Sequence, residues 1–565
     1  MQHSECRGSY DDRRQHLRDR DGEGPQGSAV SKNPGTHVHP TPGLGRASIC
    51  PGSRAGAAEE RRYSESMTNG LKQSDPAIVP VKSANKGTPV PAEPMEGRAG
   101  TKGNPRGQST HRTQGRDRMS QAAERIRQAA TRKPKEKLTA LLHHITTDVL
   151  EVSYFILKKD AAAGVDGVTW EEYGNGLEER LLDLHDRVHS GAYRALPSRR
   201  VEIPKPDGGT RPLGIAALED KIVQTAVAET ILVPIFEPEF LGFSYGFRPG
   251  RGAHDALDAL AYGIERRKVN WIVDADIRAF FDQLDRSWLL QFVEHRIGDR
   301  RVIRLISKWL GAGVMEEGEW RDTLWGVPQG SSVSPILANV YLHFVLDLWF
   351  QRKWRSRTAR GETIIVRYAD DFVVGFQYKR DAERFLCDLK DRLAAFSLDL
   401  HPDKTRLIEF GRFAMADRRA RGERRPETFD FLGFTHYCRT TRNGRFGLGR
   451  KPIGKRVTRT LKRIKAELRW RMHHNIYEVA IWLGRVVGGW LRYYAVPTSF
   501  RSLNKFVLRL KRMWLRALRH RSQKDRFTWH KVGTLAAVFW PPLRILHPWP
   551  NTRFAVKTRG RSRMV

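Results

Sequence analysis

Residues 362–376 read ETIIVRYADDFVVGF. Two β-branched or aromatic runs, Ile364 to Tyr368 and Phe372 to Phe376, flank Ala369, Asp370 and Asp371. That pattern predicts a tight hairpin whose turn holds two adjacent carboxylates. Aspartate is common in turns because its side chain bonds nearby backbone, so an isolated pair would be ordinary structure. A second stretch changes the reading. Residues 271–285, WIVDADIRAFFDQLD, lead an apolar run into Asp274 and Asp276 and then into Phe280, Phe281 and Asp282. A carboxylate at the end of a strand beside the hairpin would bring three negative groups together, which is costly unless cations bind between them. Two divalent ions would satisfy them and would suit phosphoryl transfer, activating an attacking hydroxyl and stabilising a leaving pyrophosphate. Oxygen ligands without a Cys/His set favour Mg²⁺ or Mn²⁺ over zinc. Asp274 and Asp276 share one strand face, and physics alone does not choose between them.

Outward from this core the chain is strongly basic: 99 Lys and Arg against 63 Asp and Glu in 565 residues, a formal charge of +36. Such an excess implies a polyanionic partner, most simply nucleic acid. Cys6, Cys50, Cys387 and Cys438 form no C-x-x-C pair, which argues against a zinc knuckle and a disulfide framework. No run approaches the roughly 18 apolar residues of a membrane span, and the N-terminus lacks the apolar centre of a secretory signal. No membrane partner is expected, and the cytoplasm is the expected compartment, with nucleoid association when DNA is bound. Residues 1–118, rich in Gly, Pro, Ser and Arg, read as a disordered basic arm, either solvated or in contact with RNA. Met67 is an alternative start. Strand patterns at SRRVEIPKP, WIVDADI, TIIVRYA, FVVGF and TRLIEF alternate with helical ones through about 440, a mixed α+β arrangement with an antiparallel sheet. Beyond about 445 the chain reads as helical and basic, with twelve Lys/Arg against one acid, Glu467, between Arg439 and Arg469. Leu503, Phe506, Leu510, Met513 and Ala517 form an apolar stripe, and Arg509, Arg512 and Arg516 lie off it.

At this point the residues resemble a known family. YADD after IIVR, DADIRAFFD, and GVPQGSSVSPILANVYLH (326–343) look like reverse transcriptase motifs. IPKPDGGTRPLGIAALEDKIVQ (203–224), FLGFSYGFRPGRGAHDAL (240–257), LHPDKTRLIEFG (400–411) and FDFLGFTH (429–436) narrow the likeness to proteins encoded by bacterial group II introns. The resemblance implies a right-hand polymerase. Fingers and palm would occupy 119–445, a helical thumb or maturase domain 446–545, and a basic tail 546–565. It selects Asp276, Asp370 and Asp371 as catalytic metal ligands, helped by the main-chain carbonyl of Ile277. Phe281 would pack under the incoming sugar and exclude a 2′-hydroxyl, although an FF pair alone suggests core. Gln329 would meet the nucleotide, and Lys205 and Arg211, flanking a GG turn, would either hold its triphosphate or stand solvated.

Arg248 and Arg251 are expected on template phosphates, and Gly433 in FLGF on the primer. Lys404 would assist proton transfer to pyrophosphate or merely pair with an acid; in either case it joins the nucleic-acid set with Arg509, Arg512 and Arg516. Asp282 reads as a cap or turn residue. Trp490, Tyr493 and Tyr494 would stack on RNA or fill core, and His473–His474 point apart and hold no metal. A His-Asn-His endonuclease, carried by many relatives, is not expected here. The implied partners are group II intron RNA, an RNA template with DNA primer, deoxynucleotides and a DNA target site, with a homodimer left open. Rival readings are a splicing factor with a decayed polymerase site, a retron or diversity-generating reverse transcriptase, and an RNA-dependent RNA polymerase.

Overall fold

The computed structural model describes residues 106–204, 209–316, 319–321, 326–327, 329–521 and 527–553. The arm before residue 106, Lys205 and the tail after residue 553 lie outside the described residues. Among the described residues the strands are β1 Ser198–Pro204, β2 Thr210–Ile215, β3 Trp271–Ala275, β4 Val314–Glu316, β5 Glu319–Arg321, β6 Thr363–Tyr368, β7 Asp371–Phe376, β8 Arg406–Glu409, β9 Phe429–Phe431, β10 Phe434–Thr440 and β11 Phe446–Pro452. They form three sheets, β2-β1-β4-β5, β6-β7-β3-β8 and β11-β10-β9. All pairings are antiparallel except β1 with β4.

The β6-β7-β3-β8 sheet separates two hydrophobic cores. Side chains alternate across a strand, and this sequence supplies an apolar residue for each face. Ile365, Phe372, Val374, Phe376 and Val273 enter one core. Their neighbours Ile364, Val366, Val373 and Ile272 enter the other. Burial on both faces explains why these strands read as continuous apolar runs rather than as apolar–polar alternation. Helix Lys379–Ala394 supplies Phe385, Leu389 and Leu393 to the first core. Helix Ala253–Arg266 covers the second face, and a Cβ on its Gly263 would stand 2.9 Å from Ile364.

Four differences from the sequence expectations have physical causes. The first described helix, Arg106–Arg132, begins inside the segment assigned to the arm, and its Met119, Ile126 and Ala130 join the first core. Strand β11 lies beyond 445, so the helical region begins only at Gly454. In helix Phe500–Arg521 the buried stripe is Leu503, Phe506, Leu510, Trp514 and Leu518, with Met513 and Ala517 at its edge. After two turns, the 3.6-residue period carries the buried line one residue past the expected positions. Helix Arg286–Glu294 is capped by Asp285, not Asp282: its carboxylate accepts from the amides of Ser287 and Trp288.

Candidate active site

Tyr368 pairs with Asp371, leaving Ala369 and Asp370 as a two-residue turn. Ala369 takes φ +57, the left-handed conformation that such turns demand and that alanine adopts at a cost. What holds it is visible directly beneath. Arg367 is fully buried and grips Asp347, also fully buried, through two hydrogen bonds of 2.8 and 2.6 Å. The same guanidinium donates to the Ala369 carbonyl and to Asn339 Oδ1, both at 3.0 Å. Asn339 in turn donates to the Gly246 carbonyl at 2.7 Å. A Cβ on Gly246 would stand 2.3 Å from the Ala369 amide nitrogen, so only glycine allows this loop to abut the turn.

The third carboxylate arrives as expected. Strand β3 pairs with β7 in a register that sets Ala275 against Phe372, so the next residue, Asp276, falls beside Asp371. The three groups feel one another. Burial, then the charge of Asp276, raises Asp370 above the ordinary carboxylate range, with Arg211 and Arg367 opposing. Asp371 is pushed up to about 7 by crowding within the protein and then by Asp370, Asp276 and Asp274, with Arg456 opposing. Asp371 also opens to solvent at the end of its strand. Asp274 is raised to about 6, chiefly by burial, and is tied to Arg406 on β8 at 3.2 Å. The alternative the sequence left open is thus engaged elsewhere.

Lys404 Nζ lies 2.8 Å from Asp276 Oδ2, the acid-pairing reading of that residue. The lysine is 57% exposed, so it is a displaceable counter-ion rather than a buried permanent partner. Among the described residues no three His, Cys, Asp or Glu close into a ready-made metal cage. The Ile277 side chain is buried. The backbone bonds around it run from His401 N to Asp276 O and from Arg278 N to Asp399 O, both 2.8 Å, and neither uses the Ile277 carbonyl.

Two residues assigned independently from sequence meet here. Arg211 Nε donates to Gln329 Oε1 at 2.7 Å, and the Gln329 carbonyl accepts from Gly214 N, also at 2.7 Å. Arg211 also lies within electrostatic reach of Asp370. Phe281 is buried against Phe280, ring centroids 5.2 Å apart. Gly433 adopts φ +85 in the turn between β9 and β10, and Tyr493 Oη donates to the preceding Leu432 carbonyl at 2.7 Å.

Other expected contacts are corrected. The Arg248 side chain is 2% exposed, paired with Glu237 at 2.7 Å and donating to the Leu241 and Ser244 carbonyls at 2.7 and 2.8 Å. Arg251 donates to the Gly242 carbonyl at 2.7 Å and lies over the Tyr245 ring. Both arginines organise the loop that supports the turn; Arg248 is buried there, while Arg251 remains half-buried. Trp490 stacks on Phe506 at 4.5 Å and Tyr494 is buried, so these aromatics fill core. Arg509, Arg512 and Arg516 are exposed, as expected. The residues the sequence reading missed are Arg367 with Asp347 and Asn339, and Arg456. A lone arginine inside the apolar run IIVRY was the available signal for the first group.

A hairpin turn with paired carboxylates, a third carboxylate just past the end of the adjoining strand, and an arginine–glutamine pair whose arginine lies in electrostatic reach of Asp370 form a site able to gather divalent cations and phosphate oxygens. Comparison with known proteins agrees. Residues 203–436 match the family described as reverse transcriptase (RNA-dependent DNA polymerase). The chain is 33% identical to protein YkfC of Escherichia coli over 290 residues, 45% of this chain and 75% of that protein. It is 35% identical to the group II intron-encoded protein LtrA of Lactococcus lactis over 249 residues, 44% of this chain and 41% of LtrA. It is 31% identical over 235 residues to nuclear intron maturase 2, mitochondrial, of Arabidopsis thaliana, 34% of this chain and 30% of that protein. The chain belongs to the reverse transcriptase family, in the group that includes group II intron-encoded proteins.

Proposed function

We propose that the protein is an RNA-directed DNA polymerase encoded by a group II intron and that it also binds intron RNA as a maturase. The observation that carries the polymerase reading is the strand register that sets Asp276 beside Asp371 of the Asp370–Asp371 turn, with Arg211, bonded to Gln329, in electrostatic reach of Asp370. In this reading 119–445 form the fingers and palm and the later helices the thumb. Asp276, Asp370 and Asp371 would hold two Mg²⁺, or Mn²⁺, with Lys404 displaced from Asp276. Bound there, such ions would lower the pKa of the primer 3′-hydroxyl and neutralise charge on the leaving pyrophosphate. Lys404, released from Asp276, would be free to assist proton transfer to that pyrophosphate. Arg211 holds the triphosphate while Gln329 fixes the guanidinium plane, and Lys205 would join them.

Phe281 supports deoxynucleotide preference because a ring buried beside the site cannot yield to a 2′-hydroxyl without opening a gap in the core. Phe281→Ala is expected to reduce discrimination against ribonucleotides by about tenfold or more, read from kcat/KM for paired substrates. Unchanged discrimination would return the ring to a purely structural role.

The maturase reading rests on the Phe500–Arg521 helix. Its apolar stripe is buried, while Arg501, Lys505, Arg509, Arg512, Arg516 and Arg519 are exposed. So many like charges on one helix repel unless an anion neutralises them. Primer extension on an RNA template tests the first role, and intron RNA binding across a salt series the second. Affinity is expected to fall about a thousandfold between 50 and 200 mM salt, as for a protein contacting six or more phosphates. A flat profile would remove the basic helices from the interface.

A further inference from the structure

The Arg211–Gln329 bond joins two distant parts of the chain, and the segment that carries Arg211 also holds the loop that carries Gln329. Strand β2 contains Arg211, and its Gly214 amide donates to the Gln329 carbonyl at 2.7 Å. Gly330 lies against the same strand, where a Cβ would stand 2.8 Å from the Gly214 carbonyl oxygen. The helix that follows β2, Leu218–Val227, supplies a second hold. Its Gln224 is 4% exposed, and the side-chain Oε1 accepts from the Ser332 amide at 3.1 Å. Among the described residues that amide has no other acceptor. Helix Ser334–Leu342, which begins just after the loop, has no side-chain cap at its start. A buried polar side chain that reaches across 108 positions of chain to one backbone amide acts as a tether, since the amide would lose its partner without it.

We infer that Gln224 is a positioning residue for the incoming nucleotide. It holds the 329–332 loop at Ser332 while β2 holds it at Gln329, and the two ties together fix the Gln329 side chain on Arg211. The inference rests on the polymerase reading above. It goes beyond that reading in tying nucleotide affinity to a side chain buried behind the site.

The test uses the full chain with a DNA primer annealed to an RNA template, and reads deoxynucleotide KM and kcat beside primer–template affinity. Gln224→Leu keeps comparable bulk and removes the acceptor. It is expected to raise KM about tenfold, the effect of one lost hydrogen bond that leaves its amide unsatisfied. The kcat should change less than KM, and primer–template affinity should hold. Gln224→Glu offers Ser332 an oxygen in either protonation state and should keep KM near the parental value. A cycle with Gln329→Ala identifies the route. If Gln224 acts through Gln329, adding Gln224→Leu to Gln329→Ala leaves KM where Gln329→Ala alone puts it. The inference is overturned by an unchanged KM in Gln224→Leu, by an equally raised KM in Gln224→Glu, by full additivity in the cycle, or by unfolding of both Gln224 variants. Failure of the unsubstituted chain to extend any primer would instead overturn the polymerase reading. Hydrogen exchange at residues 329–333 would then still judge the tether: faster exchange in Gln224→Leu supports it, and parental rates overturn it.

Discussion

Replacing Asp370 and Asp371 together with asparagine is expected to lower DNA synthesis by at least about a thousandfold, since two of the three proposed metal ligands lose their charge. Intron RNA binding should stay nearly intact, because the exposed arginines of the Phe500–Arg521 helix lie outside this change. The fold should not suffer either. Both carboxyls titrate above the ordinary range, Asp370 raised by burial and then Asp276, and Asp371 by burial and then Asp370, Asp276 and Asp274. A carboxyl whose folded pKa is raised weakens the fold at pH above its unfolded value and regains that stability as pH falls through the folded value. Near pH 7 and above, removing such charges relieves repulsion. Urea unfolding of the Asp370→Asn, Asp371→Asn protein should therefore give a midpoint equal to or above that of the parent. A lower midpoint with joint loss of synthesis and RNA binding would make the pair structural and sink the catalytic assignment.

That expectation was legible in two stretches of fifteen residues each, 271–285 and 362–376. The β-branched runs around Asp370–Asp371 and the apolar run before Asp274 and Asp276 dictate strands, and a two-residue turn forces the carboxylates to the hairpin's end. Strand order β6-β7-β3 then brings Asp276 alongside. Arg211 and Gln329 were legible singly, but their bond spans 118 positions of chain and no local rule joins them. Arg248, and in part Arg251, were read differently for the opposite reason: Arg248 is buried. Arginines among glycines suggest phosphate contact, yet here glycine lets loop and turn approach while arginine satisfies buried carbonyls. Composition could not reveal that those carbonyls would be inside. The stripe on the last long helix was legible, with its far end off by one residue where helical drift accumulates. Strand β11 escaped because a run rich in Gly, Arg and Lys lacks strand signals; its pairing with β10 supplies what local preference does not.

The least legible element carries the largest stability prediction. Arg367 and Asp347 are both wholly buried, and an ionised group left alone in such a place is far costlier than the pair. Asp347→Ala is expected to cost about 3–5 kcal/mol, because the guanidinium keeps its charge and loses its bidentate partner. Urea unfolding read against the parent measures this, and a loss below about 1 kcal/mol, the range of an exposed pair, would contradict the burial argument. Removing both charges separates stability from positioning. An Arg367→Met, Asp347→Leu protein fills similar volume with apolar atoms and should regain most of the lost stability. It cannot regain the clamp. Arg367 alone donates both to Asn339 and to the Ala369 carbonyl that opens the carboxylate turn, and Ala369 sits in a conformation alanine does not choose unaided. The double variant should therefore fold near parental stability while DNA synthesis stays depressed by about tenfold or more, as a misplacement of about 1 Å at reacting groups can cost a hundredfold. Restored synthesis alongside restored stability would show that the turn holds its shape without Arg367, leaving the arginine a partner for Asp347 and nothing more.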